Sequence, residues 1–125
     1  MKANELMIGD WVQDHPFGEG RVTAILARDE LVMYYRNYCY TTTCLSNISP
    51  IPLTAEILEK NAYPYDGSWY SFGDFYVAHY GDCYVIHQNP NDDKREFLCR
   101  INYVHELQHA LRLCGLNDLA DDFVV

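Results

Sequence analysis

The sequence predicts an α+β fold, with an all-β first part and a mixed second part. Three observations carry this. Residues 1–50 break into short β-rich runs between turn residues. Two glycine-aspartate pairs, Gly73-Asp74 and Gly81-Asp82, space three runs as a meander. Residues 101–116, INYVHELQHALRLCGL, repeat their apolar positions with helical periodicity.

In the first part, strands are expected at Met7–Gln13, Arg21–Ala27, Leu31–Tyr35 and Tyr38–Leu45. A breaker-rich turn from His15 to Gly20 separates the first two, and Arg28-Asp29-Glu30 joins the next two. Short strands at this spacing, with I-G-D-W-V followed by G-E-G-R-V-T-A-I, point to a small β-barrel over residues 1–50, SH3-like by preference, although any small antiparallel sheet fits the pattern about equally well. Ser49-Pro50-Ile51-Pro52 reads as a stiff linker, because proline removes ladder donors. Residues 51–125 then form an α-β-β-β-α lobe with both helices on one face of an antiparallel meander. The two parts are expected to make one compact unit.

Thr54 is placed to cap the first helix, Leu53 and Leu58 to staple its start, and its end is expected near Asn61. The two-residue hairpin loops fix the register of the meander. They pair Phe72 with Phe75, Tyr70 with Val77, His79 with Tyr84, Val77 with Ile86 and Tyr76 with His87. Side chains alternate along each strand, so Tyr70, Phe72, Phe75, Val77, His79, Tyr84 and Ile86 share the face assigned to the helices. His79 reads there as a hydrogen-bonded core histidine. Trp69, Tyr76, Tyr80 and His87 share the opposite face, an aromatic platform with polar tips. These four are the candidate binding residues, since such rings suit a surface that is apolar on one side and wet on the other. The competing and preferred reading packs the platform against the N-terminal lobe. A turn at Asn89–Asp93 and a short edge strand at Phe97–Cys99 follow.

The last helix is expected to start at Asn102 as N-cap and stop at Gly115, with Leu116 folding back on Leu111. Val104, Leu107 and Leu111 carry its core face, and His105, His109 and Arg112 fall on the other side. His105-Glu106-Leu107-Gln108-His109 matches the H-E-x-x-H zinc pattern. In that reading His105 and His109 hold the metal and Glu106 is the catalytic base. A third ligand is wanting, because no histidine follows His109 and the remaining sixteen residues offer Asp118, Asp121 and Asp122 on a short acidic tail. The preferred reading is a solvated face that happens to carry two histidines, on which His105→Ala or His109→Asn would change little.

Composition narrows the functions further. The net charge is −9, with four basic and six acidic side chains in residues 1–50 and five and twelve in residues 51–125. Nucleic-acid binding draws on neutralised phosphates, so this balance disfavours it. The one basic pair, Lys94-Arg95, is flanked by acidic residues. No run is long enough to span a bilayer, and MKANELMIGDWV has no apolar leader core. Five cysteines without a C-x-x-C pair read as buried thiols in a reducing cytoplasm.

Three phrases, MKANELMIGDWV, IPLTAEILEKNAY and INYVHELQHALRLCG, span the chain in order. With them it resembles a family of small uncharacterised proteins common in gut bacterial genomes, prophages and mobile elements. Some members read V-H-E-L-Q-N, which implies that the second histidine is dispensable. The resemblance carries over no activity and no catalytic residue. The expectation is therefore a non-enzymatic cytoplasmic interaction module without a cofactor. Its partner would be a protein with a basic patch, or a second copy of itself. A zinc-dependent hydrolase and a binder of small planar ligands are the alternatives.

Overall fold

A computed structural model describes residues 1–15, 17–65, 69–88 and 96–125, with the backbone alone described for 63–65, 88 and 96–98. Pro16, the Asn89–Asp93 turn and Lys94-Arg95 lie outside the described residues. The fold is α+β, with two five-stranded antiparallel sheets and three α-helices among the described residues.

The first sheet holds β1 (Trp11–Asp14), β2 (Gly18–Leu26), β3 (Leu31–Arg36), β4 (Cys39–Cys44) and β5 (Ile48–Pro50). Its order is β4-β3-β2-β1-β5, and β4 and β5 are its two edges. The expected barrel is therefore not closed. The expected linker is also partly a strand, since Pro50 lies opposite Val12 and Ile48 opposite Asp14. Proline fits there because an edge position needs no second ladder donor. Val12, Val22, Val32, Tyr34, Leu45 and Ile48 bury themselves as one cluster on the inner face. Tyr34 crosses over Gly20 so closely that an added Cβ would collide with its ring. Its hydroxyl donates to buried Asp14 at 2.5 Å.

Helix α1 (Ala55–Asn61) starts where Thr54 Oγ1 accepts the Ile57 amide at 3.3 Å, and Asn61 is its last residue. The second sheet runs β6 (Tyr63–Tyr65), β7 (Trp69–Phe72), β8 (Phe75–Tyr80), β9 (Cys83–Gln88) and β10 (Glu96–Ile101) in sequence order. The register of β7, β8 and β9 is the expected one at every named pair. Strands β6 and β10 widen the meander at its two sides, and a bulge interrupts β10 between Phe97 and Cys99.

Ile101 closes β10, and α2 spans Val104–Leu113, so the helix starts later than Asn102 as N-cap would give. Gly115, at φ 79°, takes the left-handed stop, and the Leu116 amide returns to the Leu111 carbonyl at 2.8 Å. A short α3 (Asn117–Asp121) and a docked end follow. Phe72, Val77 and Ile86 from the sheet, Leu58 from α1, and Val104, Leu107 and Leu111 from α2 form one buried cluster with Phe123. His79 departs from its expected place. It is exposed near the end of the central strand β8, stacked on Tyr84 at 4.8 Å between ring centroids.

The polar side of α2 is not solvated. It faces the N-terminal lobe and is where the two sheets' units meet. Gln108 is fully buried; its Oε1 accepts the Trp11 amide at 2.9 Å, and its Nε2 donates to the carbonyls of Gly9 (3.0 Å) and Ala120 (3.1 Å). The Trp11 indole N–H donates to the Phe123 carbonyl, and Arg21 donates to the carbonyl of Asp121.

Candidate functional site

Two places merit comparison: the His105–His109 string and the aromatic face of the second sheet. In the string, Glu106 is held at the helix start. Its Oε1 accepts the amides of Asn102 (3.2 Å) and Tyr103 (3.1 Å), two donors that a helix start leaves unpaired. Oε1 of this carboxylate is thereby engaged by the backbone of its own helix start.

The two histidines are parted by environment. His105 is buried, stacked on Tyr103, and its Nδ1 has no hydrogen-bond partner among the described residues. Burial pushes its pKa down, which favours the neutral ring, although Asp10 nearby acts the other way. His109 Nε2 sits 2.7 Å from Asp10 Oδ2, while Arg112 Nη1 holds Asp10 Oδ1 at 2.9 Å. The Met7 amide donates to the same carboxylate at 2.8 Å. Burial of Asp10 raises its pKa, but the bonds from His109, Arg112 and Met7 outweigh this and hold it below the ordinary aspartate value. Among the described residues, no three His, Cys, Asp or Glu side chains gather as metal ligands would. A guanidinium already occupies the carboxylate nearest the histidines. The arrangement is that of a charged clasp between two lobes.

The aromatic face offers a different geometry. β7, β8 and β9 put Trp69, Tyr76, Tyr80 and His87 on one side through the alternation of the strands. The His87 ring lies 5.6 Å from Trp69 and 6.1 Å from Tyr80 between centroids. His87 is buried, Trp69 and Tyr76 are half-buried, and Tyr80 is 58% exposed. Among the described residues, hydrogen bonds from the N-terminal lobe to the second lobe reach α2, α3 and the chain end, and none of residues 1–50 lines the groove that takes in Tyr80 and His87.

That groove has a volume of about 1080 Å³ and takes in Tyr80, His87 and Val85 from the sheet. Arg100, Tyr103, Pro52 and Leu53 also line it. Arg100 and Tyr103 were not legible as site residues. Arg100 reaches this side because it pairs with Val85 after the β10 bulge, and a bulge leaves no mark in the sequence pattern. Trp69 and Tyr76 lie on the same face but do not line the groove among the described residues.

The cysteines also differ from expectation. All five are free thiols, yet Cys39 and Cys44 are exposed, and Cys83, Cys99 and Cys114 are only half-buried. No helix among the described residues is long and apolar enough to cross a membrane. No protein-family model, curated protein or solved structure matches this chain.

Proposed function

We propose that this chain is a non-enzymatic interaction module whose partner protein enters the groove over the second sheet. The observation that carries the reading is the lining itself, in which exposed Tyr80, Tyr103 and Arg100 combine with buried Val85 and His87. Tyrosine and arginine supply much contact area at an interface, and large concave sites of this kind are where ligands seat. The excess of acidic side chains favours a partner with a basic patch. The strand order of the first sheet, with a 3-10 turn at Leu45–Asn47 before β5, supports reading that lobe as SH3-like although it is open. The cytoplasm as its location, and a phage or mobile-element origin, rest on the thiols and on the family resemblance.

The test uses Tyr80→Ala and Arg100→Ala, both at exposed positions. Each should leave the melting temperature near that of the parent and abolish capture of the partner. Tyr38→Ala, on the other lobe, should capture it normally. A partner held equally well by Tyr80→Ala, Arg100→Ala and the parent overturns the reading.

The grouping of the Trp69, His87 and Tyr80 rings favours one second reading, a planar ligand stacked against Tyr80. Tryptophan fluorescence that shifts with a planar compound in the parent, and not in Tyr80→Ala, would support it.

A further inference from the structure

The two sheets present four edges, and three of them carry features that block further pairing. β5 contains Pro50 and β6 contains Pro64, each lacking a backbone donor. β10 has a bulge and the charged residues Glu96 and Arg100. β4 has none of these. It is six residues long, reads Cys-Tyr-Thr-Thr-Thr-Cys, and lies within a stretch without a charged side chain between Arg36 and Glu56. In a chain of net charge −9 this neutral edge stands apart.

Its free hydrogen-bonding groups can be assigned. Asn37 and Tyr38 join β3 to β4 with φ 49° and 66°, the positive pair that a two-residue type I′ turn requires. The flanking pair Arg36 and Cys39 is then the hydrogen-bonded kind, and the kinds alternate along the ladder. Cys39, Thr41 and Thr43 therefore turn their amides and carbonyls toward β3. Those of Tyr40, Thr42 and Cys44 point outward, where no strand among the described residues meets them.

We infer that β4 is the pairing edge for a second copy of this chain, antiparallel and centred on Thr42. A two-fold axis at Thr42 sets Thr42 opposite Thr42 of the second copy and Tyr40 opposite its Cys44. Every outward group of the strand is then used. An axis at Thr41 would leave Cys44 opposite the turn residue Tyr38. The exposed side chains agree. Tyr40 is 69% exposed and packs on Tyr35 at 5.0 Å, and Tyr35, Met33 and Leu31 continue the same apolar face on β3. Pairing two such edges joins the faces without bringing like charges together. A strand of another protein could use the same edge. The neutral, self-complementary register favours the second copy, because an edge read by a basic partner would place acidic side chains along it.

The test is the mass of the full chain in solution by sedimentation over a wide concentration range, under reducing conditions. A concentration-dependent dimer is expected. Thr42→Lys and Thr42→Glu should each weaken it by at least about tenfold, because each sets a charge opposite its own copy. An equimolar mixture of the two should restore a dimer, now of unlike chains. Circular dichroism of each variant monitors folding. If either loses its fold, Thr42→Cys in a Cys39→Ser, Cys44→Ser background replaces it, and oxidation should then give a covalent dimer. Hydrogen-bonded partners stand about 5.5 Å apart between Cα atoms, within reach of a disulfide. A parent that stays monomeric throughout, a dimer indifferent to charge at position 42, or a mixture that does not pair overturns the inference.

Discussion

The fully buried side-chain amide of Gln108 accepts the backbone N–H of Trp11 at 2.9 Å across 97 residues of sequence. The same side chain donates to Gly9 and Ala120, so one residue satisfies backbone groups from the first lobe and from α3. Replacing it by an apolar residue of similar size would strand the Trp11 N–H and the Ala120 carbonyl and remove one donor from the Gly9 carbonyl, which Arg21 also reaches. Gln108→Leu is therefore expected to destabilise the protein by about 3 kcal/mol or more in chemical denaturation. A loss below about 1 kcal/mol would falsify the central place given to this amide.

Arg112 and His109 share the task of compensating Asp10, whose carboxylate is fully buried. Removing one partner leaves a buried charge short of compensation, which is worse than never burying it. Arg112→Met should lower stability by about 3 kcal/mol, and His109→Asn by less, since the amide keeps a donor on a shorter arm. Asp10→Asn with Arg112→Met should recover part of the loss, the signature of a coupled pair. Additive losses in that cycle would show that the clasp is not coupled.

Much of the second sheet was legible because its turns are chemically specific. Gly73-Asp74 and Gly81-Asp82 allow few hairpin geometries, and a two-residue loop fixes which residues face each other all along the strands. Helix α1 was legible for a similar local reason, the Thr54 cap. The far side of α2 was not. His105, Gln108, His109 and Arg112 form a polar stripe at helical spacing, and nothing local separates a stripe in water from one laid on a second lobe. Its partners Gly9, Asp10 and Trp11 lie about a hundred residues away. Pro50 misled in the other direction, because a missing donor excludes only the interior of a sheet. The groove was half legible: alternation placed Tyr80 and His87, while Arg100 depended on a bulge.

Glu106 separates a helix cap from a metalloenzyme base. As a cap it needs only an acceptor oxygen, so Glu106→Gln should stay within about 0.5 kcal/mol of the parent, and Glu106→Ala should lose about 1 kcal/mol. Neither melt should respond to a chelator. A zinc enzyme would behave otherwise, with activity lost in both variants and the parent destabilised by metal removal. Equimolar zinc in the purified parent, with a melting temperature that falls on chelation, would reverse the assignment.

His105 gives the fold its expected sensitivity to mild acid. Burial depresses its pKa in the folded chain, while in the unfolded chain it titrates near the ordinary value of about 6.5. The unfolded state therefore takes up the proton first. Stability is intact above about pH 6.5 and falls as the pH drops toward the folded value, by at most about 1.4 kcal/mol per pH unit for one proton. Asp10, also depressed, adds a second loss only below about pH 3.9. Asp10, His109, Glu106 and Glu5 all act on the ring, so the comparison must isolate it. His105→Phe keeps an aromatic ring against Tyr103 and gives up no hydrogen bond at Nδ1. Denaturation of the parent and of His105→Phe between pH 7.5 and pH 5, about one unit either side of the histidine value, should show the shallower slope in the variant. Identical slopes would place the proton uptake elsewhere and return His105 to the role of a titrating surface residue.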